Sequence, residues 1–152
     1  MTVQERIESD FIREMKAGNR PVVSALRMLK AALKNAQIEK MAPLDDSGAI
    51  ETISREAKKM RDALETYRSA GRQDMVDRAE AEISVFQAYL PQPLGREALE
   101  GIVRSKISEL GAVGPKDMGR VMAAVMKEAQ GQADGSVVSE MVRSALLVGS
   151  GG

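Results

Sequence analysis

Apolar residues recur along this chain at steps of three and four, with polar positions between them, and that pattern predicts helices throughout. Ile7, Phe11 and Met15 mark one face of a first helix, which opens on Thr2 and Glu5 in the T-x-x-E spacing of a capping box. Gly18 and Pro21 separate it from a second helix carrying Val22, Leu26, Leu29, Leu33 and Ala36, a narrow stripe with steps of 4, 3, 4 and 3. Pro43 and the run Asp45-Asp46-Ser47-Gly48 read as a loop with capping residues at its exit. A third helix then carries Ile50, Ile53, Ala57, Met60, Leu64 and Tyr67 up to Gly71, and a fourth follows Asp74 with Val76, Ala79, Ile83, Phe86 and Leu90.

Pro91 and Pro93 in "LPQPL" cannot continue a helix and mark the clearest boundary. Three shorter helices are predicted beyond it. Leu99, Ile102, Val103, Ile107 and Leu110 line the first, which ends at Gly111. Met118, Val121, Met122, Val125 and Met126 line the second, entered through Gly114 and Pro115. In "GQADG", Gly131 stops that helix and Asp134 N-caps the last one, which carries Val138, Met141, Val142, Ala145 and Leu146. No alternating run of strand length is present. The expected fold is therefore all-α: an N-terminal antiparallel helical domain over 1–90, a proline linker over 91–94, a small three-helix domain over 95–148, and a flexible tail over 149–152.

Composition narrows the chemistry. The 152 residues include no Cys and no His, so thiol nucleophiles, imidazole bases and Cys/His zinc sites are excluded. Twenty-two basic and 22 acidic side chains cancel, and aromatics make up only 3%. Global charge thus points to no partner, and local charge has to decide. The charged start MTVQERIESD and the lack of a long apolar run predict a cytoplasmic protein with no membrane contact.

One region is strongly one-sided. Between Met15 and Ile38 there is no acid, while Lys16, Arg20, Arg27, Lys30 and Lys34 are all present. The last four fall in a sector clear of the Val22/Leu26/Leu29/Leu33 stripe, as a phosphodiester-binding ridge would. The plainer alternatives are a solvated face, or pairing with Asp74, Asp77, Glu80 and Glu82 of the fourth helix. Asp45/Asp46, Asp74/Asp77 and Glu80/Glu82 are the candidate carboxylate pairs, and their places near helix starts or on polar faces favour structural roles. No Walker loop, activated serine or metal-ligand set is recognisable, so no catalytic residue, cofactor or metal is expected. The row Met118, Met122, Met126 reads as core filler, with an adaptable partner groove as the alternative.

Four ordered blocks carry a resemblance: "SALRMLKAALKNAQIEK" (24–40), "AEISVFQAYLPQPL" (81–94), "GPKDMGRVMAAVM" (114–126) and "GQADGSVVSEMV" (131–142). Together they resemble the YqeY-like family, the GatB/YqeY-domain proteins, over almost the whole chain. The resemblance implies a C-terminal domain similar to the tail of the B subunit of the tRNA-dependent amidotransferase, which contacts tRNA while the chemistry lies elsewhere. It implies association with tRNA or another structured RNA, or with an amidotransferase or translation-related protein. It also carries the family label of a carbon–nitrogen ligase using glutamine as amide donor. The chain departs from the family at Gln132, where a basic residue is common, and at Gly114, where Ser is frequent. The expected RNA contacts are Arg20, Arg27, Lys30 and Lys34 in the N-terminal domain, and Lys116, Arg120, Lys127 and Gln132 in the C-terminal one. The alternatives are an accessory role in aminoacyl-tRNA amidation and a protein–protein adaptor.

Overall fold

A computed structural model describes residues 1–150, and side chains as far as Leu147. The described residues form helices α1 (Val3–Ala17), α2 (Arg20–Lys40), α3 (Asp46–Ser69), α4 (Gln73–Gln87), α5 (Arg96–Leu110), α6 (Met118–Glu128) and α7 (Gly135–Ser150). A single 3-10 turn, Pro115–Asp117, precedes α6, and no strand occurs among the described residues. The class is all-α. Contacts divide the chain into two compact units, Met1–Pro91 and Gln92–Gly152. Of the tail expected over 149–152, Gly149 and Ser150 lie within the span of α7, and Gly151 and Gly152 lie outside the described residues.

In the first unit α1, α2, α3 and α4 pack on one another through a core in which Ile7, Leu26, Leu29, Ile53 and Phe86 are fully buried. Burying each such side chain contributes roughly 1.5–3 kcal/mol relative to exposure. A smaller cluster of Leu64, Val76 and Ala79, with Met60, Tyr67 and Ile83 against it, joins the end of α3 to the start of α4. The predicted stripes lie on these faces with small rotations. On α2, Val23 is buried and Val22 only packs alongside.

Two local differences have physical causes. Asp46, Ser47 and Gly48 belong to the first turn of α3 rather than to the loop, because Asp45 accepts from the Gly48 amide (2.8 Å) and so starts the helix one residue after itself. Glu82 is 7% exposed, on the core side of α4 and not on its polar face. It stands three residues after Ala79 and four before Phe86, and Arg78 meets its carboxylate at 3.4 Å.

The start of α1 is held twice. Thr2 Oγ1 accepts from the Glu5 amide (3.1 Å), the predicted cap, and the Val3 amide donates to Asp46 Oδ1 of α3 (3.0 Å). Helices α1 and α5 end on Gly18 and Gly111 in the left-handed region, where glycine carries no Cβ penalty. Helix α2 ends differently, on Met41 at φ 59°.

In the second unit Leu99 and Val103 of α5, Val121 and Val125 of α6, and Val138, Val142 and Leu146 of α7 form the core. Met118, Met122 and Met126 are half-buried against it, so the row fills the margin of the core. Asp134 caps α7: its carboxylate accepts from the Ser136 amide (2.8 Å) and its carbonyl from the Val138 amide (3.1 Å).

Candidate nucleic-acid interface

Arg20, Arg27 and Lys34 sit seven residues apart on α2. Seven residues make almost two full turns, so the three form one lengthwise row at intervals of about 10.5 Å. All three are exposed, and no carboxylate lies within ion-pair distance of them among the described residues. The Arg27 guanidinium lies 5.8 Å from the centre of the Phe11 ring, which leaves its charge available.

Lys30 belongs to a different arrangement. Its ammonium lies 2.9 Å from Glu8 of α1 and 4.0 Å from the centre of the Phe11 ring. Lys30 therefore helps to hold α2 against α1. No local spacing signals the Glu8–Lys30 pair, because the partners are 22 residues apart and meet only when the helices pack.

The acids of α4 are occupied elsewhere. Asp74 meets Arg72 (3.4 Å), Asp77 accepts from Gln73 (2.7 Å), Glu80 accepts from Arg68 of α3 (3.0 Å), and Glu82 meets Arg78. The alternative of a ridge neutralised by α4 is not the arrangement seen. Asp45 and Asp46 hold helix starts, so each candidate carboxylate pair has a structural use.

The C-terminal candidates are dispersed. Lys116, in the 3-10 turn, and Lys127, in the last turn of α6, are exposed. Arg120 is tied down: its guanidinium bridges Asp117 (2.9 Å) and reaches the Leu110 carbonyl (3.4 Å). Asp117 also accepts from the Val113 amide (3.0 Å). That amide, followed by the Arg120 guanidinium, holds the Asp117 carboxyl below the ordinary carboxylate range. Gln132 is a clasp. Its side-chain amide donates to the Gln92 carbonyl (3.1 Å), and its own carbonyl accepts from the Leu94 amide (2.8 Å).

The second unit also has a groove of about 510 Å³ between α5 and α7, lined by Arg96, Arg104, Val137, Glu140 and Met141 among others. It does not involve the α6 methionine row. Sequence reasoning missed a further surface feature, the apolar pair Ile38 and Met41 at the end of α2, which are 63% and 90% exposed. Among the described residues no helix is long and apolar enough to cross a membrane.

Comparison with known proteins covers nearly the full chain. The chain is 27% identical, over 93% of its length and 79% of the relative's, to a protein of Pyrenophora tritici-repentis named altered inheritance of mitochondria protein 41, mitochondrial. An uncharacterized protein of Schizosaccharomyces pombe is 23% identical over 59% of this chain and 73% of its own. The family described as Yqey-like protein matches residues 4–146. The chain belongs to the YqeY-like family.

Proposed function

We propose that the protein is a non-catalytic RNA-associated helical protein, with tRNA as the first ligand to test. The observation that carries this reading is the unneutralised row Arg20–Arg27–Lys34 on the outer face of α2. Three cations on a line, free of carboxylates, match a linear polyanion, because each phosphate they neutralise releases condensed counterions. Lys116 and Lys127 add exposed positive charge on the second unit. The likeness to the amidotransferase tail supports tRNA in particular. A cytoplasmic location is part of the same reading.

The test is binding of bulk tRNA to the full chain as salt is raised. Three phosphate contacts predict a slope of log K against log salt of about −2 to −3. The double variant Arg27→Glu, Lys34→Glu is expected to lose most of that affinity. Absence of binding at low salt, or binding indifferent to salt, overturns the reading. Glutamine-dependent amidation of aminoacyl-tRNA, measured with and without the protein, separates this reading from an accessory role in amide transfer. An unchanged rate is the expected result.

A further inference from the structure

Met41 is the only residue other than glycine with a positive φ among the described residues. The other such positions, Gly18, Gly71, Gly111 and Gly131, are all glycine. A side chain in the left-handed region costs roughly 1–2 kcal/mol per residue. At 90% exposure the Met41 side chain recovers almost none of that by packing. The backbone turn does not depend on it either, since the Met41 and Ala42 amides donate to the carbonyls of Gln37 and Ile38, a bonding that glycine supports equally. The chain thus carries a large apolar side chain where the fold is better served without one. A strained, exposed residue of this kind is a pointer to an external contact.

Its position says which contact. Met41 caps α2 seven residues after Lys34, so the helix bears three cations along one face over about 21 Å and an apolar residue at its C-terminal end. Ile38, 63% exposed and four residues after Lys34, widens that end on the same face. Glu39 falls about 140° round the helix from Lys34, away from the row. The acids that follow the loop are engaged, Asp45 with the Gly48 amide and Asp46 with the Val3 amide.

Resting on the RNA reading above, we propose that Met41 and Ile38 are the base-contacting end of the α2 surface, where RNA held along Arg20, Arg27 and Lys34 presents unstacked bases from a loop or a strand end. Ile and Met are side chains that wedge against or between bases, and unstacked bases are what RNA offers at loops and ends. A bilayer fits less well. Lipid contact places apolar and cationic groups at one depth along a helix lying flat, whereas here the cations run lengthwise away from an apolar tip.

The test compares wild type and Met41→Gly, in the full chain, for binding to a short RNA hairpin with an open loop and to its stem as a blunt duplex. Vesicles rich in phosphatidylserine form a third arm. Met41→Gly relieves the backbone strain, so thermal melting is expected to show a fold at least as stable as wild type. The expected result is a hairpin affinity about five- to tenfold weaker in the variant, as partial burial of a methionine side chain against a base would give, with the duplex affinity unchanged. If both RNAs bind and the substitution alters neither, or alters both alike, the proposal is overturned while the RNA reading stands. If neither RNA binds at low salt, the RNA reading falls and takes this proposal with it. A variant that loses vesicle binding and keeps hairpin binding overturns the proposal in favour of lipid.

Discussion

The phenol of Tyr89, just past the end of α4, donates to Asp10 Oδ2 in α1, across 79 residues of sequence. Arg13 meets the other oxygen of Asp10 at 2.8 Å, and the Arg6 guanidinium lies 5.2 Å from the centre of the Tyr89 ring. Burial, reinforced by the Asp10 carboxylate, pushes the phenol above its ordinary range. Tyr89→Phe keeps the buried ring and removes the hydrogen bond to a charged acceptor, so a loss of about 1.5–3 kcal/mol is expected in urea unfolding. The sign with pH follows from the raised value. The contribution is fully present below the phenol's ordinary pKa of about 10 and is lost as pH rises through the higher folded value. Wild type is therefore expected to lose more stability than the variant on strong alkalinisation.

At the acid end the corresponding group is Asp117. Its folded pKa lies below the ordinary carboxylate value, so its stabilisation is present above about pH 3.9 and is lost as pH falls through the folded value. Asp117→Asn is expected to flatten the acid limb of stability measured by circular dichroism between neutral pH and that range. An acid limb as steep in the variant as in wild type excludes this role.

Ser54 on α3 has a buried Oγ with no hydrogen-bond partner among the described residues. A buried hydroxyl left without a partner costs stability, and alanine is the better helix former. Ser54→Ala is expected to raise the urea midpoint, by about 0.5–1 kcal/mol in free energy, without changing the slope.

Gln132 offers a way to add charge without loosening its loop. Its bond to the Gln92 carbonyl needs a donor on a side chain of similar reach, which lysine supplies and alanine does not. Gln132→Ala is expected to lose about 0.5–1 kcal/mol of stability. Gln132→Lys should hold stability and steepen the salt dependence of tRNA binding by about one unit of slope, if this loop faces the RNA. An unchanged slope places the loop outside the contact.

The helices were legible because burial and spacing coincide. Leu26, Leu29 and Leu33 recur at helical steps and are buried, and the caps at Thr2 and Asp134 are local devices that the sequence spells out. The cation row was legible for the same reason, since an acid-free stretch and helical spacing are both properties of one segment. What the sequence hid depends on other segments. Lys30 is drawn away by Glu8, Gln132 by Gln92, and Glu82 takes a core position beside Phe86. Met41 was hidden differently. The left-handed backbone that makes its side chain costly is a property of the helix end, and nothing in "EKMAP" announces that glycine is missing there.

The Gln132 clasp also tells an experimenter where to cut. Gln92 and Leu94 precede the first helix of the second unit, yet both bond to the loop between α6 and α7. A C-terminal fragment that starts at Gln92 keeps both bonds, while one trimmed to Gly95, at the start of α5, discards the two acceptor and donor groups that hold the α6–α7 loop. Equilibrium unfolding of the two fragments is expected to rank the longer as the more stable, so helix boundaries alone are the wrong guide for dissecting this chain.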